Sequence, residues 1–316
     1  MYCLRCRKYH DSRNNAMNTL ILFLTFFASQ FLLVSNAHSD ALTVFSSIPN
    51  KDQLKIKELF NELFKYEEFA YSLFGDKPMS FSDSLLNEYS ANQLLEFLSL
   101  KDYCQDALEN FVEPSEIFKK RWETWKRYRN QFKLKKYLLL DKKRGDQVRI
   151  FLINIEAFKQ VVNQNINLFK KNINPSISAE SLLTQFEYEN TDVFDILHHN
   201  EGLLGILLGF GKHNAMLFQQ REELERKKKF GVYKLENIQN KLNLANTRLK
   251  PLRKHDPYII ASINRVCFVA DPEHYETIKL RHKYDNLNRK INEIYSRDDW
   301  FEQTLIQLTS EASISN

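Results

Sequence analysis

An acidic and histidine-rich run at residues 187–201, EYENTDVFDILHHNE, carries the residue types most able to do chemistry in this chain. Carboxylates and imidazoles that recur about every three residues can ligate a metal or act as acid and base. The run therefore suggests a hydrolase-like enzyme, provided that the fold brings these groups together with His213. The groups concerned are Asp192, Asp195, His198, His199 and Glu201.

Two common catalytic patterns do not occur in the sequence. There is no H-E-x-x-H of a zinc protease and no G-x-S-x-G of a serine hydrolase. We expect no metal and no cofactor, and the sequence leaves open whether the chain is an enzyme.

The stretch at residues 201–215, EGLLGILLGFGKHNA, holds four of the seven glycines. Its order, G-x-x-G-x-x-x-G-x-G, fits neither a dinucleotide-binding turn nor a P-loop. The apolar part is also too short to cross a bilayer. We therefore interpret it as the start of a soluble helix from Leu203 to about Lys228, buried at its glycine-rich end and solvated beyond Gln219.

On such a helix Gly205, Gly209 and His213 lie at i, i+4 and i+8 and would line one stripe. A stripe without side chains lets another backbone, or a ligand, come close. Two interpretations remain open: tight helix packing, or a ligand groove. The residues of the groove would be Gly205, Gly209, Gly211, His213 and Asn214.

A basic segment at residues 119–149 contains thirteen Lys and Arg against three Asp and Glu, a net charge of +10 in a chain of net +5. Aromatic residues are interleaved with these cations, a combination typical of anionic-surface binding. The alternative is that the aromatic side chains form core while the cations are solvated. The predicted contacts are Lys119, Lys120, Arg121, Trp122, Trp125, Lys126, Arg127 and Arg129.

The first 39 residues have the order of an export signal. Residues 14–39 contain no charged side chain, cations precede the apolar run at 19–34, and small residues follow it. Residues 1–39 are predicted to be a cleaved signal peptide or a retained anchor, and the chain could begin at Met1 or Met17. Either way the remainder lies outside the cytoplasm, periplasmic, secreted or membrane-anchored, and no nucleic acid partner is expected.

The remainder, 40–316, is predicted to be one mostly helical domain. Glycine and proline are both scarce, at seven residues each, which favours long helices and few tight turns. We expect a mainly α, bundle-like fold with one small antiparallel sheet of two or three strands. A hairpin is predicted near 136–154, a third strand at 265–271, and a long helical hairpin within 232–310.

Three segments resemble exported proteins of unknown role from intracellular, chlamydia-like bacteria. These segments read SLFGDKPMSFSD, LLGILLGFGKHNAMLF and FVADPEHYETIKL. The resemblance implies export and a shared helical fold, and it supplies no activity. We therefore expect a binding or structural role outside the cytoplasm, with a protein or an anionic membrane surface as partner and the hydrolase-like enzyme as the alternative.

Overall fold

The computed structural model describes residues 40–82, 113–144, 147–188, 191–229, 235–251, 266 and 268–310. Most of these residues are helical and one small three-stranded antiparallel sheet is present, so the predicted fold class is confirmed. The predicted leader at 1–39 and the cysteines lie outside the described residues. Within the described ranges, no helix has both the length and the apolar character needed to cross a membrane.

Helices make up most of the described residues. The N-terminal helical elements are α1 (residues 40–47), α2 (Asn50–Phe60), a π-helix (Asn61–Tyr66), α3 (Phe69–Leu73), α4 (Glu113–Tyr128) and a 3₁₀ turn (Arg129–Gln131). The middle ones are α5 (Ile155–Gln164), α6 (Ile166–Asn172), α7 (Ala179–Tyr188), α8 (Val193–Ile196), α9 (Glu201–Leu207) and α10 (Lys212–Lys229). The last are α11 (Leu235–Arg248), α12 (Tyr275–Tyr295) and α13 (Trp300–Thr309).

The three-stranded sheet has the order β1-β3-β2 and is antiparallel throughout. The strands are β1 (Met79–Phe81), β2 (Tyr137–Arg144) and β3 (Gln147–Asn154). The predicted hairpin is therefore confirmed, with β2 and β3 paired along their whole length. Its third strand is β1, which the sequence did not indicate.

Both faces of this sheet are covered. On β3, Ile150 and Leu152 pack into a first core with helices α2, α4, α12 and α13, whereas Phe151 and Ile153 pack into a second core with α5, α7 and α9. Successive side chains of a strand point to opposite faces, so one strand supplies both cores. The continuous apolar run FLI in β3 is the sequence signature of this double burial.

The strand predicted at 265–271 lies elsewhere. Among its described residues, Val269 and Ala270 are extended, as β5, and they pair with β4 (Lys250–Pro251) in a separate two-stranded sheet. The prediction that this segment joins the hairpin is therefore wrong. A three-residue strand such as β1 is too short to show an alternating pattern, and the apolar run near 268 was more conspicuous.

The glycine segment is also not one helix. Helix α9 ends at Leu207 and α10 begins at Lys212, because Gly209 and Gly211 have φ of +75° and +83°. The amide of Gly209 bonds to the carbonyl of Ile206 and the amide of Phe210 to that of Gly205, the pattern of a Schellman helix end. The predicted stripe of Gly205, Gly209 and His213 does not exist.

Within residues 232–310, α12 and α13 are joined by a short turn, whereas α11 packs against α10. The solvation expected beyond Gln219 is observed, since residues 220–228 are exposed or half-buried. The C-terminal part of the chain thus brings the starts of α10 and α12 to the same place as the end of α11.

Candidate functional site

The acidic and histidine run does not form a site. His198 contacts the carbonyl oxygen of Asn172 at 3.2 Å, and His199 lies 3.2 Å from the exposed carboxylate of Asp195. Asp192, by contrast, is buried at the start of α8. His213 takes its partners from other elements, so the predicted convergence is not observed. Among the described residues no group of His, Cys, Asp and Glu could hold a metal.

The tryptophans of the predicted anionic surface lie in the core. Trp122 and Trp125 are fully buried, and Trp125 packs against the rings of Phe60 and Phe132. The prediction that they are surface contacts is therefore wrong. Helix α4 turns its aromatic face inward, as the alternative interpretation proposed.

Several cations of the same surface are paired with carboxylates. Arg121 bonds to Glu58 and Glu62 of the α2 region at 3.0 and 3.2 Å. Arg127 reaches Asp52 at 3.2 Å, and Lys126 lies 2.7 Å from Glu123 and 3.6 Å from Asp141. Lys119 and Arg129 are half-buried and Lys120 is exposed. Arg121 and Arg127 are thus paired with acidic side chains from distant sequence, and Lys126 with acidic side chains of the segment itself.

The glycine loop between α9 and α10 lies where the segments SLFGDKPMSFSD, LLGILLGFGKHNAMLF and FVADPEHYETIKL meet. Gly209 accepts a hydrogen bond from Tyr284 of α12, and a side chain there would meet Pro78 and Lys77 beside β1. Phe210 stacks on Phe268, with ring centroids 4.4 Å apart. The loop therefore ties the α3–β1 connection to α12 and β5.

Gly205 fulfils the predicted role of close backbone approach. A Cβ atom there would lie 2.9 Å from the Cβ of Ala215, so α9 and α10 cross at this point with no room for a methyl group. At Gly205 the structure thus has the close contact of tight helix packing, and the two helices in contact are halves of the single helix that the sequence predicts.

Beneath the loop lies a buried polar network. The ammonium group of Lys77 donates to the carboxylate of Glu68 at 2.6 Å and to the hydroxyl of Ser80 at 3.1 Å. Ser80 in turn contacts Ser72 at 2.8 Å. The Lys77 ammonium also lies 5.9 Å from the ring centroid of Phe210, within cation–π range. Lys77, Ser72 and Ser80 are buried and bonded to one another or to Glu68. We therefore interpret this network as structural, since it packs beneath the loop and stabilises it.

At the start of α10, His213 and Asp271 form the center of a polar cluster. Nε2 of His213 lies 3.2 Å from Oδ2 of Asp271, and Arg248 places Nη2 at 2.7 Å and Nε at 3.2 Å from the same oxygen. Burial alone would raise the pKa of Asp271, but the hydrogen bonds from Arg248 and His213 outweigh it and lower that pKa below its ordinary value. Asp271 is therefore a carboxylate.

This geometry fixes the tautomer of His213. A carboxylate only accepts hydrogen bonds, so Nε2 of His213 carries a proton and donates it to Asp271. Nη2 of Arg248, 3.4 Å from Nε2, is also a donor, and this second contact is therefore not a hydrogen bond. Nδ1 of neutral His213 is left with a lone pair, which is the arrangement of an oriented base.

A second histidine covers the first. The rings of His213 and His274 are stacked, with centroids 3.6 Å apart and planes within 9° of parallel. Nδ1 of His274 accepts a hydrogen bond from the amide of Glu276, so His274 is the N-cap of α12. Tyr275, which is 76% exposed, lies next to His274 with ring centroids 4.7 Å apart.

Two further side chains hold the cluster in place. Glu276 accepts the backbone amides of Lys212 and His213 at 3.0 and 2.7 Å and so caps α10 from outside. The side-chain oxygen of buried Asn214 accepts from the amide of Asp271 and the hydroxyl of Thr277, both at 3.0 Å. Through these bonds α10, the β5–α12 connection and the first turn of α12 form one fixed unit.

Sequence reasoning found His213 and Asn214 but missed Arg248, Asp271 and His274. A signal was present, because the segment ADPEHYE places an acid and a histidine directly after an apolar run.

Comparisons with protein-family models, with curated proteins and with solved structures find no match. The candidate site is thus defined by its own geometry.

Proposed function

We propose that this chain is an exported binding protein that contacts an acidic protein partner through one surface, here called the histidine face. The leader at 1–39 supports export, since its charged, apolar and small-residue order is typical of a signal. The histidine face consists of Lys212, His213, Arg248, His274, Tyr275, Ile278 and Lys279.

The observation that carries this proposal is an exposed apolar edge on a fixed polar cluster. Tyr275 and Ile278 are 76% and 43% exposed on successive turns of α12, next to the stacked histidines. Tyrosine and arginine are over-represented among residues that dominate binding energy at protein interfaces. The ring of Tyr275 rests on His274, so its position costs less conformational entropy on binding than that of a free side chain.

The charges of the histidine face favour an acidic partner. Lys212 and Lys279 are exposed and have no ion-pair partner within the described ranges, and Arg248 is also exposed. The acidic groups nearby are largely occupied, because Asp271 accepts from Arg248 and His213, and Glu276 accepts two backbone amides. In the described part of the segment 266–280, Glu273 is the only exposed anion. The surface therefore offers more cation than anion to a partner.

A random-peptide display library panned on the full chain tests the proposal. We expect the recovered peptides to be enriched in Asp and Glu around an apolar residue. The charge-reversal variant Lys212→Glu/Lys279→Glu should recover basic peptides instead, and Tyr275→Ala should reduce recovery at least tenfold. A matched control is Tyr188→Ala on α7, because Tyr188 is also exposed, at 74%, but lies in another part of the fold.

Two outcomes would overturn the proposal. One is recovery of peptides without regard to charge, and the other is equal loss of binding in Tyr188→Ala and Tyr275→Ala. Export is tested separately, by following the full chain and a variant lacking residues 19–34. If both chains stay in the cytoplasm, the proposed location is refuted. That result would not bear on the proposed binding surface.

A second candidate function is acid–base catalysis at His213. The pairing of His213 with Asp271 orients the imidazole and leaves Nδ1 free to accept a proton. In the described part of the chain, however, no serine, threonine or cysteine side chain shares a hydrogen bond with His213 or His274. A panel of ester and phosphodiester substrates, with His213→Gln as control, tests this candidate; turnover that His213→Gln abolishes would favour it over binding alone.

A further inference from the structure

We infer that Arg149 anchors a binding site for a small carboxylic acid with an apolar body. The site, here called the arginine site, consists of the guanidinium group of Arg149 and the rings of Phe81 and Phe194. It shares no residue with the histidine face. Failure of this inference would therefore leave the proposed function untouched, and the reverse also holds.

The fold brings Arg149 to the rim of the second core. Arg149 points to the same face of β3 as Phe151 and Ile153, because successive side chains of a strand alternate between faces. Phe81, the last residue of β1, lies opposite Phe151 with ring centroids 6.0 Å apart. Phe194 comes from α8 and packs against the same core. The sheet and α8 thus place one cation beside two aromatic rings.

The two rings hold the guanidinium group of Arg149. Its Cζ lies 5.4 Å from the ring centroid of Phe81 and 5.6 Å from that of Phe194, both within cation–π range. Contact with two rings restricts the long side chain before any ligand arrives. A ligand that binds here therefore loses less of its binding free energy to ordering the arginine.

The N–H donors of Arg149 lack an acceptor in the described part of the chain. An arginine is always protonated and carries five such donors. Its Nε is buried, and no described protein group accepts a hydrogen bond from it or forms an ion pair with the side chain. The residue as a whole is only partly buried, which leaves the terminal nitrogens accessible. Charged donors without acceptors are costly in a folded protein, and an oxyanion would satisfy them.

The charged side chains near the arginine site are engaged elsewhere. Lys142, opposite Arg149 in β2, is buried and has an interaction of its own. Asp192 and Asp195, on either side of Phe194, also have partners, which for Asp195 is a histidine at 3.2 Å. The charge available to a ligand is therefore the single cation of Arg149.

This arrangement suits a carboxylate better than a phosphate. The planar fork of an arginine donates two parallel hydrogen bonds to the two oxygens of a carboxylate, and one negative charge balances one positive charge. A phosphate carries more than one charge at neutral pH. Because the rings of Phe81 and Phe194 are partly exposed, a ligand next to the guanidinium group also meets apolar surface. Benzoate is the simplest probe with both features.

Titration of the full chain with benzoate, followed in the NMR signal of the Arg149 Nε–H group, tests the site. The signal is assigned by its loss in Arg149→Met, and we expect benzoate to shift it to saturation. Benzamide has the same shape without the charge and should bind at least about tenfold more weakly. Acetate has the charge without the ring and should bind at least about threefold more weakly.

Three variants, compared by calorimetric titration with benzoate, separate the arginine from general effects. Arg149→Met keeps the apolar length of the side chain and should weaken binding at least about tenfold. Arg149→Lys keeps the charge but not the fork, and should weaken binding at least about threefold. Arg289→Met is the matched control, because Arg289 is exposed on α12 and bonds to Asn286. Its affinity should equal that of the wild type.

Equal affinity for benzoate in the wild type and Arg149→Met would overturn the inference. So would binding of benzamide as tight as that of benzoate, since the site would then be apolar only. Tighter binding of inorganic phosphate than of benzoate would overturn the carboxylate class. If Arg149→Met does not fold, Arg149→Lys decides the question, because full affinity in that variant would show that the fork is not used.

Discussion

Tyr284 donates a hydrogen bond to the carbonyl oxygen of Gly209 at 2.7 Å, from the middle of α12 to the loop between α9 and α10. Burial, with smaller effects from Glu68 and Asp76, raises the pKa of this tyrosine well above its ordinary value, so the hydroxyl stays a donor. The bond holds the left-handed turn that separates the two helices.

We predict that Gly209→Ala destabilises the protein by about 2 kcal/mol. The backbone there has φ of +75°, and an added Cβ would lie 2.5 Å from the hydroxyl of Tyr284. On an exposed helix face the same change would stabilise, because alanine is the better helix former. Urea unfolding measures the difference, and Tyr284→Phe in the same background isolates the clash. An unchanged or higher midpoint for Gly209→Ala would show that the turn is not required.

At Gly205 we predict a destabilisation of about 1–3 kcal/mol on replacement by alanine. The gain in helix propensity opposes this cost but is smaller, about 1 kcal/mol. The nearest side chain to the new methyl group is Ala215, whose Cβ would lie 2.9 Å away and cannot move without its backbone. The double variant Gly205→Ala/Ala215→Gly should therefore recover part of the loss. Simple addition of the two single effects would contradict the proposed contact.

Removal of the anion beside Lys77 should cost more than removal of the pair. We predict that Glu68→Gln lowers the free energy of unfolding by about 3 kcal/mol, because the Lys77 ammonium is almost completely buried. Glu68→Gln/Lys77→Met should be less destabilised than Glu68→Gln, since methionine needs no counterion. Chemical denaturation at pH 7 makes the comparison. A double variant less stable than the single one would mean that Lys77 has other essential partners.

Asp271 should contribute to stability at neutral pH and not in strong acid. Its pKa is lowered in the folded state, so this contribution is present above the ordinary carboxyl pKa of about 3.9 and is lost as the pH falls through the lower folded value. We expect Asp271→Asn to be less stable than wild type at pH 7 by about 1 kcal/mol, since Arg248 is half exposed. The gap should close below pH 4. Asp298→Asn, at an exposed carboxylate, is the control.

Local patterns predicted much of the fold. The hairpin of β2 and β3 is visible in two apolar runs around DKKRGDQ, and the inward aromatic face of α4 follows from its helical spacing. The break at Gly209 was missed because apolar residues continue through it in Phe210. A positive φ at two glycines ends the helix although the apolar pattern continues, because the spacing of apolar residues does not indicate the backbone φ of a glycine.

The candidate site was only half predictable for a different reason. His213 and Asn214 are adjacent in sequence, whereas Arg248 and Asp271 lie 35 and 58 residues from His213 along the chain. Their meeting depends on α11 packing against α10 and on the short β4–β5 pair. In the acidic run 187–201, conversely, residue types suited to chemistry are close in sequence but face different neighbours.

Side chains of β3 alternate between the two cores, so the fold depends on whether an insertion has an odd or an even number of residues. Ile150 and Leu152 belong to one core and Phe151 and Ile153 to the other, so inserting a single residue before Ile150 would exchange the two sets. Each core would then receive side chains shaped for its opposite. Inserting two residues would shift the pairing with β1 and β2 but return every side chain to its own side. Length changes in the 144–147 connection are therefore tolerable in even steps and disruptive in odd ones whenever they propagate into the strand.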